Sequence, residues 1–113
     1  ENSEINSNSV PKVIFNKKEE LIYISRGAIP FSKKSLKDKK FNYYRQVCIY
    51  AFSKKELKKF YSSKQSFVEK IENVEILRFF DLNIKVKMVK TKKNTYAVDY
   101  PKDIKKIKNF FKN

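Results

Sequence analysis

The sequence predicts an α/β fold, and three observations carry that expectation. Short β-branched and aromatic runs alternate with helix starts in the order ββ–loop–βααββα, where a bundle would keep helical periodicity throughout. Residues 43–52 are apolar on both alternating faces (Val47, Ile49 and Ala51 against Cys48, Tyr50 and Phe52), the pattern of a strand covered on both sides. Two Ser-x-x-Glu stretches, at Ser53 with Glu56 and at Ser66 with Glu69, match the capping box, in which hydroxyl and carboxylate satisfy open amides of a first helical turn.

The elements follow in order. Residues 1–9 are polar, rich in Asn and Ser and without period, and read as a flexible N-terminal segment ahead of one folded unit over 10–113. Residues 10–15 and 21–25 are strand-forming runs separated by Asn16-Lys-Lys-Glu-Glu, a turn. Residues 27–42 hold the only Gly, Pro30 and several Lys with little pattern, and read as a long loop. The Ser53 helix runs to about Tyr61 and the Ser66 helix to about Leu82. Residues 84–90 alternate Ile84, Val86 and Met88 with Lys85 and Lys87, as a half-exposed strand does. Residues 96–98 form a short strand. A last helix starts near Pro101, with Ile104, Ile107 and Phe111 on one face.

Composition removes several chemistries. With 113 residues, one domain is the ceiling, and a fragment of a larger protein fits equally. No His excludes His-based acid–base catalysis and His metal sites. One Cys excludes an internal disulfide and suits a reducing, cytoplasmic setting. One Gly leaves no Gly-rich phosphate loop, and no apolar run has the length of a membrane span. The net charge of +15 has two readings. It suits a Lys-rich module for RNA or an anionic membrane. Against this, only Arg26, Arg45 and Arg78 are Arg, the residue nucleic-acid readers favour. Abundant Asn, Ile, Phe and Tyr also fit an AT-rich coding bias. Nucleic acid is therefore the weaker alternative.

Two positions resist a packing account. Projected as one helix from Ser66, Glu75 and Arg78 fall inside the apolar face, and they are spaced to pair along it. A buried ion pair and a carboxylate aimed at the hydroxyls of a polar ligand both explain this. Asp99 sits between an apolar run and the last helix. It reads either as an N-cap or as a carboxylate at a strand end, where open α/β sheets bind ligands and Mg²⁺.

Taken together, these segments resemble the CMP-Kdo synthetases (3-deoxy-manno-octulosonate cytidylyltransferases). Residues 21–31, Leu-Ile-Tyr-Ile-Ser-Arg-Gly-Ala-Ile-Pro-Phe, are similar to that family's "LYFSRxxIPy". Residues 44–52 are similar to "yRHiGIYaY", residues 68–78 to "LExiExLEQLR", residues 97–104 to "gVDTPEDL" and residues 10–14 to "nvVKVV". The resemblance covers nearly the whole chain but only the C-terminal half of the family. It implies the C-terminal half of a nucleotide-diphospho-sugar-transferase-like, Rossmann-like mixed sheet with flanking helices. It further implies a sugar-binding and dimer-forming part of an enzyme that joins CTP to a 2-keto-3-deoxy sugar acid, inactive without the CTP-binding half. By position, Asp99 matches the catalytic, Mg²⁺-binding Asp. Arg26, Lys33, Gln46, Tyr50 and Glu75 match sugar-binding positions. Gln46 stands where the family has His, and Ile76 where it has Gln. Loss of a polar partner at Ile76 implies a related sugar acid or a lost activity.

Overall fold

The computed structural model describes residues 2–33, 42–92, 95, 98 and 100–111, with only the backbone of 2, 3, 102, 106 and 110. Half of the loop expected over 27–42 and most of the strand expected over 96–98 lie outside these residues.

The N-terminal residues include one helical turn and touch the residues that follow. α1 (Asn2–Ile5) is a single helical turn. Glu4 faces Arg45 at 3.9 Å, and the carbonyls of Ser7 and Asn8 accept from Lys12 Nζ (2.9 Å) and Arg26 Nη1 (3.0 Å). Tertiary contacts of the side chains that follow, not local propensity, hold this segment to the sheet.

β1 (Lys12–Phe15) and β2 (Leu21–Ser25) form the expected antiparallel pair, with Val13 opposite Ile24 and a register shift between Ile14 and Phe15. Their turn is closed by Asn16, whose Oδ1 accepts from the amides of Lys18 (2.9 Å) and Glu20 (3.0 Å). That Asx geometry is why Asn ends the first strand. β3 (Tyr44–Arg45) pairs on the other edge of β1, giving the order β2-β1-β3, antiparallel throughout.

The strand expected over 43–52 is therefore cut to two residues. Gln46 N still donates to Pro11 O (2.9 Å), but Ile49 N turns back onto Val47 O at 2.6 Å and the run kinks. β3 lies at a sheet edge, and a strand past Arg45 has no neighbour among the described residues to pair with. Its amides take a local partner instead.

Both helix starts stand where Ser predicts them. α2 (Lys54–Ser62) begins at Ser53, whose Oγ accepts from Glu56 N (3.2 Å). α3 (Phe67–Glu72) carries the complete box: Glu69 N donates to Ser66 Oγ (3.1 Å) and Ser66 N to the Glu69 carboxylate (3.2 Å). The single helix expected from Ser66 to Leu82 is a correction. α3 stops at Asn73, which takes the left-handed conformation (φ 51°), and the chain resumes as a 3₁₀ turn (Glu75–Leu77) and α4 (Arg78–Asp81). Asn tolerates that backbone and is a common helix stop. Asn73→Gly is accordingly expected to leave the thermal midpoint unchanged or raised. Asn73→Val should cost about 1–2 kcal/mol, read as a lower midpoint.

The break creates the core. Val74, Ile76, Leu77 and Phe79 fold back onto Val13, Leu21 and Ile24 of the sheet, and all seven are buried. Phe79 is stacked by Phe60 (centroids 5.3 Å) and Phe52 (5.5 Å), which fastens α2 over the 3₁₀ turn and α4. Residues 84–88 keep the predicted alternation, with Lys85 and Lys87 out and Ile84, Val86 and Met88 half-buried. They make only an isolated bridge, Glu20 to Lys87, flanked by Leu21 N to Val86 O (2.8 Å) and Met88 N to Glu19 O (2.7 Å). α5 (Pro101–Phe110) opens on Pro as expected. Among the described residues no helix is long and apolar enough to cross a membrane.

Candidate functional site

The sheet face, the kinked segment after β3, the 3₁₀ turn with Phe79, and residues 84–92 enclose a concavity of about 820 Å³. Val13, Leu21, Ile24, Ile76 and Phe79 make its apolar floor, and Gln46 and Tyr50 stand in its wall. Lys90 closes one side, its Nζ lying over the Phe15 ring (5.2 Å) and the Tyr44 ring (5.7 Å).

Gln46 is buried, and its Nε2 donates to the Tyr50 hydroxyl. The bond is possible because the bend at Val47–Ile49 brings residue 50 back toward residue 46. Burial pushes the Tyr50 phenol well above its ordinary value, and the Glu75 carboxylate and Cys48 add in the same direction. Tyr50 is therefore a neutral hydroxyl at physiological pH, able to donate as well as accept. Glu75 opens the 3₁₀ turn and is exposed, yet close enough for its charge to act on Tyr50. The structure thus brings two of the sequence-derived positions into contact, Gln46 and Tyr50, with Glu75 near Tyr50 but outside the concavity's lining. Ile76, beside them, is buried and presents only hydrocarbon to the concavity.

Glu75 is not inside an apolar helical face, which corrects the periodicity reading. That projection carried one helical frame through Asn73, where the frame ends. The buried carboxylate is Glu69, and Arg78 pairs with it rather than with Glu75: Nε to Oε2 at 2.7 Å and Nη2 to Oε1 at 2.5 Å. The guanidinium also lies over Phe60, 3.9 Å from the ring centroid. Paired with Arg78, Glu69 is held below its ordinary pKa.

Arg26 and Lys33 lie elsewhere. Arg26 directs Nε to Glu72 O (2.8 Å), Nη1 to Asn8 O (3.0 Å) and Nη2 to Asn73 O (3.1 Å). In this structure it braces the C-terminal end of α3. Lys33 is exposed and does not line the concavity. Asp99 lies outside the described residues. The helix cap beside it does not: Tyr100 precedes Pro101, and Tyr100 N donates to Asp103 Oδ2 (3.0 Å). At the start of the helix itself, Tyr100 stands at the cap position and Asp103 closes it.

Sequence reasoning missed the groups that hold this frame. Glu72 accepts from Ser25 Oγ (2.7 Å) and Arg26 N (2.8 Å), tying the end of β2 to α3. Lys12 is buried, its Nζ on Ser7 O and Arg26 O, and desolvation lowers its pKa. Nothing local in the sequence marks Lys12, because its partners come from other segments. Glu69 had a signal, its place in the capping box.

Comparison with known proteins bears on the same residues. The family described as cytidylyltransferase matches residues 1–107. The 3-deoxy-manno-octulosonate cytidylyltransferase of Bacteroides thetaiotaomicron is 35% identical over 106 residues, 91% of this chain and 42% of its own length. That of Parabacteroides distasonis is 33% identical over 120 residues, covering 100% of this chain and 46% of the relative. A solved structure of CMP:2-keto-3-deoxy-manno-octonic acid synthetase complexed with CTP superposes with a TM-score of 0.84 at 25% identity, over 99% of this chain and 45% of that one. The chain therefore spans less than half the length of these relatives, and it matches their C-terminal part.

Proposed function

The chain belongs to the cytidylyltransferase family, and from that premise we propose that it is the sugar-acid-binding part of an enzyme making a CMP-sugar from CTP and Kdo or a related 2-keto-3-deoxy acid. The observation that carries this reading is the pairing of Gln46 with Tyr50 in the wall of one concavity, with the Glu75 carboxylate, from a second part of the chain, close enough for its charge to act on Tyr50.

In the proposed reaction the anomeric hydroxyl of the sugar acid attacks the α-phosphorus of CTP. A P–O bond to the hydroxyl forms, the bond to the β-phosphate breaks, pyrophosphate leaves and the hydroxyl proton is lost. The share of this chain is recognition. Glu75, an exposed carboxylate, accepts sugar hydroxyls, and the neutral Tyr50 phenol, oriented by Gln46, donates to or accepts from another. Ile76 offers no polar partner, so the sugar face against it should be one that does not need pairing. Arg26 and Lys33 are proposed for the sugar carboxylate. Arg26 would then have to exchange at least one of its carbonyl partners for the ligand.

Asp99 is proposed to hold Mg²⁺. Among the described residues no three His, Cys, Asp or Glu side chains gather. A single carboxylate still suits Mg²⁺, which keeps waters and takes substrate phosphates for its other positions. Bound, the ion would neutralise charge on the phosphates. The complete enzyme is proposed to be a homodimer.

Pyrophosphate release tests the reading. The isolated chain is expected to give none with CTP, Mg²⁺ and Kdo, whereas a chimera joining it to the N-terminal part of the Bacteroides relative should turn over. In that chimera Glu75→Gln should raise the KM for the sugar acid about tenfold or more and leave that for CTP unchanged, as expected for losing a hydrogen bond to a charged group. Turnover by the isolated chain, or an equal rise in both KM values, overturns the assignment.

A further inference from the structure

The arginines of the chain are not held alike. Arg78 grips the Glu69 carboxylate through two nitrogens, and Arg45 faces Glu4 at 3.9 Å. Among the described residues, the guanidinium of Arg26 meets main-chain carbonyls alone, those of Glu72, Asn8 and Asn73. A carbonyl carries no full charge, so this cation is fixed in direction but not neutralised. The charged groups nearby are aimed at its main chain instead. The Glu72 carboxylate accepts from Arg26 N (2.8 Å) with one oxygen and from Ser25 Oγ (2.7 Å) with the other. Lys12, 2% exposed, donates from Nζ to Arg26 O and Ser7 O. Ser25 Oγ in turn accepts from Gly27 N (3.0 Å), which carries the restraint one residue past Arg26. β2 and its pairing with β1 end at Ser25, so the sheet supplies neither bond to Arg26.

On the reading of this chain as the sugar-acid-binding part of a cytidylyltransferase, we propose that Glu72 and Lys12 are positioning residues for Arg26. They clamp its main chain from two sides, so that the guanidinium is presented, still charged, to the carboxylate of the sugar acid. Neither residue touches the ligand. Their opposite charges offset each other, and the cluster keeps the single positive charge of Arg26, which suits one carboxylate. The bond from Nη1 to Asn8 O lies at the surface and is the one a ligand oxygen can replace. The bond from Nε to Glu72 O is part-buried and keeps the plane of the guanidinium in place. Such preorganisation acts on the affinity for the sugar acid and not on that for CTP.

Arg26, Arg45 and Arg78 are the only arginines, so their Nε–H groups can be followed separately by heteronuclear NMR. In Glu72→Ala, which removes both acceptors, hydrogen exchange at Arg26 Nε should accelerate about tenfold or more. Arg78 Nε, held by Glu69, should keep its rate. Glu72→Gln keeps the shape and one acceptor and should act in the same direction, which covers a failure of the Ala variant to fold. Lys12→Met keeps the buried stem, loses the donor and should also release Arg26. In the chimera, Glu72→Gln should raise the KM for the sugar acid about tenfold and leave that for CTP unchanged. In an Arg26→Met background the same substitution should add nothing further, since it acts through Arg26. Unchanged exchange at Arg26 in the Glu72 variants overturns the proposal. Equal acceleration at Arg26 and Arg78 also overturns it, because the loss is then general destabilisation. So does a fully additive rise in KM in the Arg26→Met background, since Glu72 would then act by itself. The two readings separate. A chimera without turnover, in which Glu72→Gln still releases Arg26, removes the proposed activity and keeps the clamp. Turnover with Arg26 exchange unaffected does the reverse.

Discussion

Replacing Glu69 by Ala is expected to destabilise the chain by about 3–5 kcal/mol, because it would strand the Arg78 guanidinium in a largely buried position. Glu69 is 3% exposed and binds Arg78 through both carboxylate oxygens, while also receiving the Ser66 amide. One side chain thus closes the capping box of α3 and anchors α4, two elements that the break at Asn73 would otherwise leave independent. Arg78 extends the tie to α2 through Phe60 O at 3.2 Å. Removal of Glu56, at the exposed start of α2, should cost no more than the roughly 0.5–2 kcal/mol of an ordinary cap. Urea midpoints of the two variants at neutral pH decide the matter, and equal small losses would remove the anchoring role. The pair also predicts a pH dependence. The folded-state pKa of Glu69 is depressed, chiefly by its hydrogen bonds to Arg78. Its contribution is therefore complete above the ordinary Glu value of 4.5 and is lost as pH falls through the lower folded value. Glu69→Gln should flatten the acid limb of the stability profile and leave the alkaline limb unchanged.

What the sequence disclosed was what it encodes locally. Ser53, Ser66 and Pro101 mark helix starts through groups within one turn, and all three stand where they were read. Asn16 likewise marks the turn between β1 and β2 through its own side chain. The long helix from Ser66 failed because apolar spacing alone does not register a change of backbone hand. Asn73 was the available sign, and with it the frame for Glu75 would have been restarted. Gln46 and Tyr50 were singled out by the family resemblance alone, whereas Glu75 was first singled out by periodicity, in a helical frame that ends at Asn73. Arg26 was legible as an unusual residue but not as a brace, because Asn8, Glu72 and Asn73 reach it from distant parts of the chain. Residues 43–52 are a different kind of miss. Their pattern describes a strand with both faces covered, and the described residues cover too little of either to hold it straight.

Asp99→Asn, made in the complete chimera, is expected to lower turnover on the order of a hundredfold while leaving the melting temperature unchanged. The expectation follows from the family motif, and a cap role would give a different outcome. If Asp99 were the N-cap of α5, Asn would replace it well and neither rate nor stability would move. The cap is Tyr100, and the carboxylate that closes it is Asp103, accepting from Tyr100 N at 3.0 Å. Asp103→Ala is therefore the matched control. It should cost about 0.5–2 kcal/mol of stability and leave turnover per folded molecule intact. The two neighbouring carboxylates then separate in opposite directions, one in rate and one in stability. A metal role adds a further readout, since Asp99→Asn should raise the Mg²⁺ concentration needed for half-maximal rate, whereas Asp103→Ala should not. Should Asp99→Asn lower the melting temperature and keep the wild-type rate and Mg²⁺ dependence, the carboxylate is structural. The proposed ligand for Mg²⁺ would then have to be sought in the N-terminal part of the enzyme.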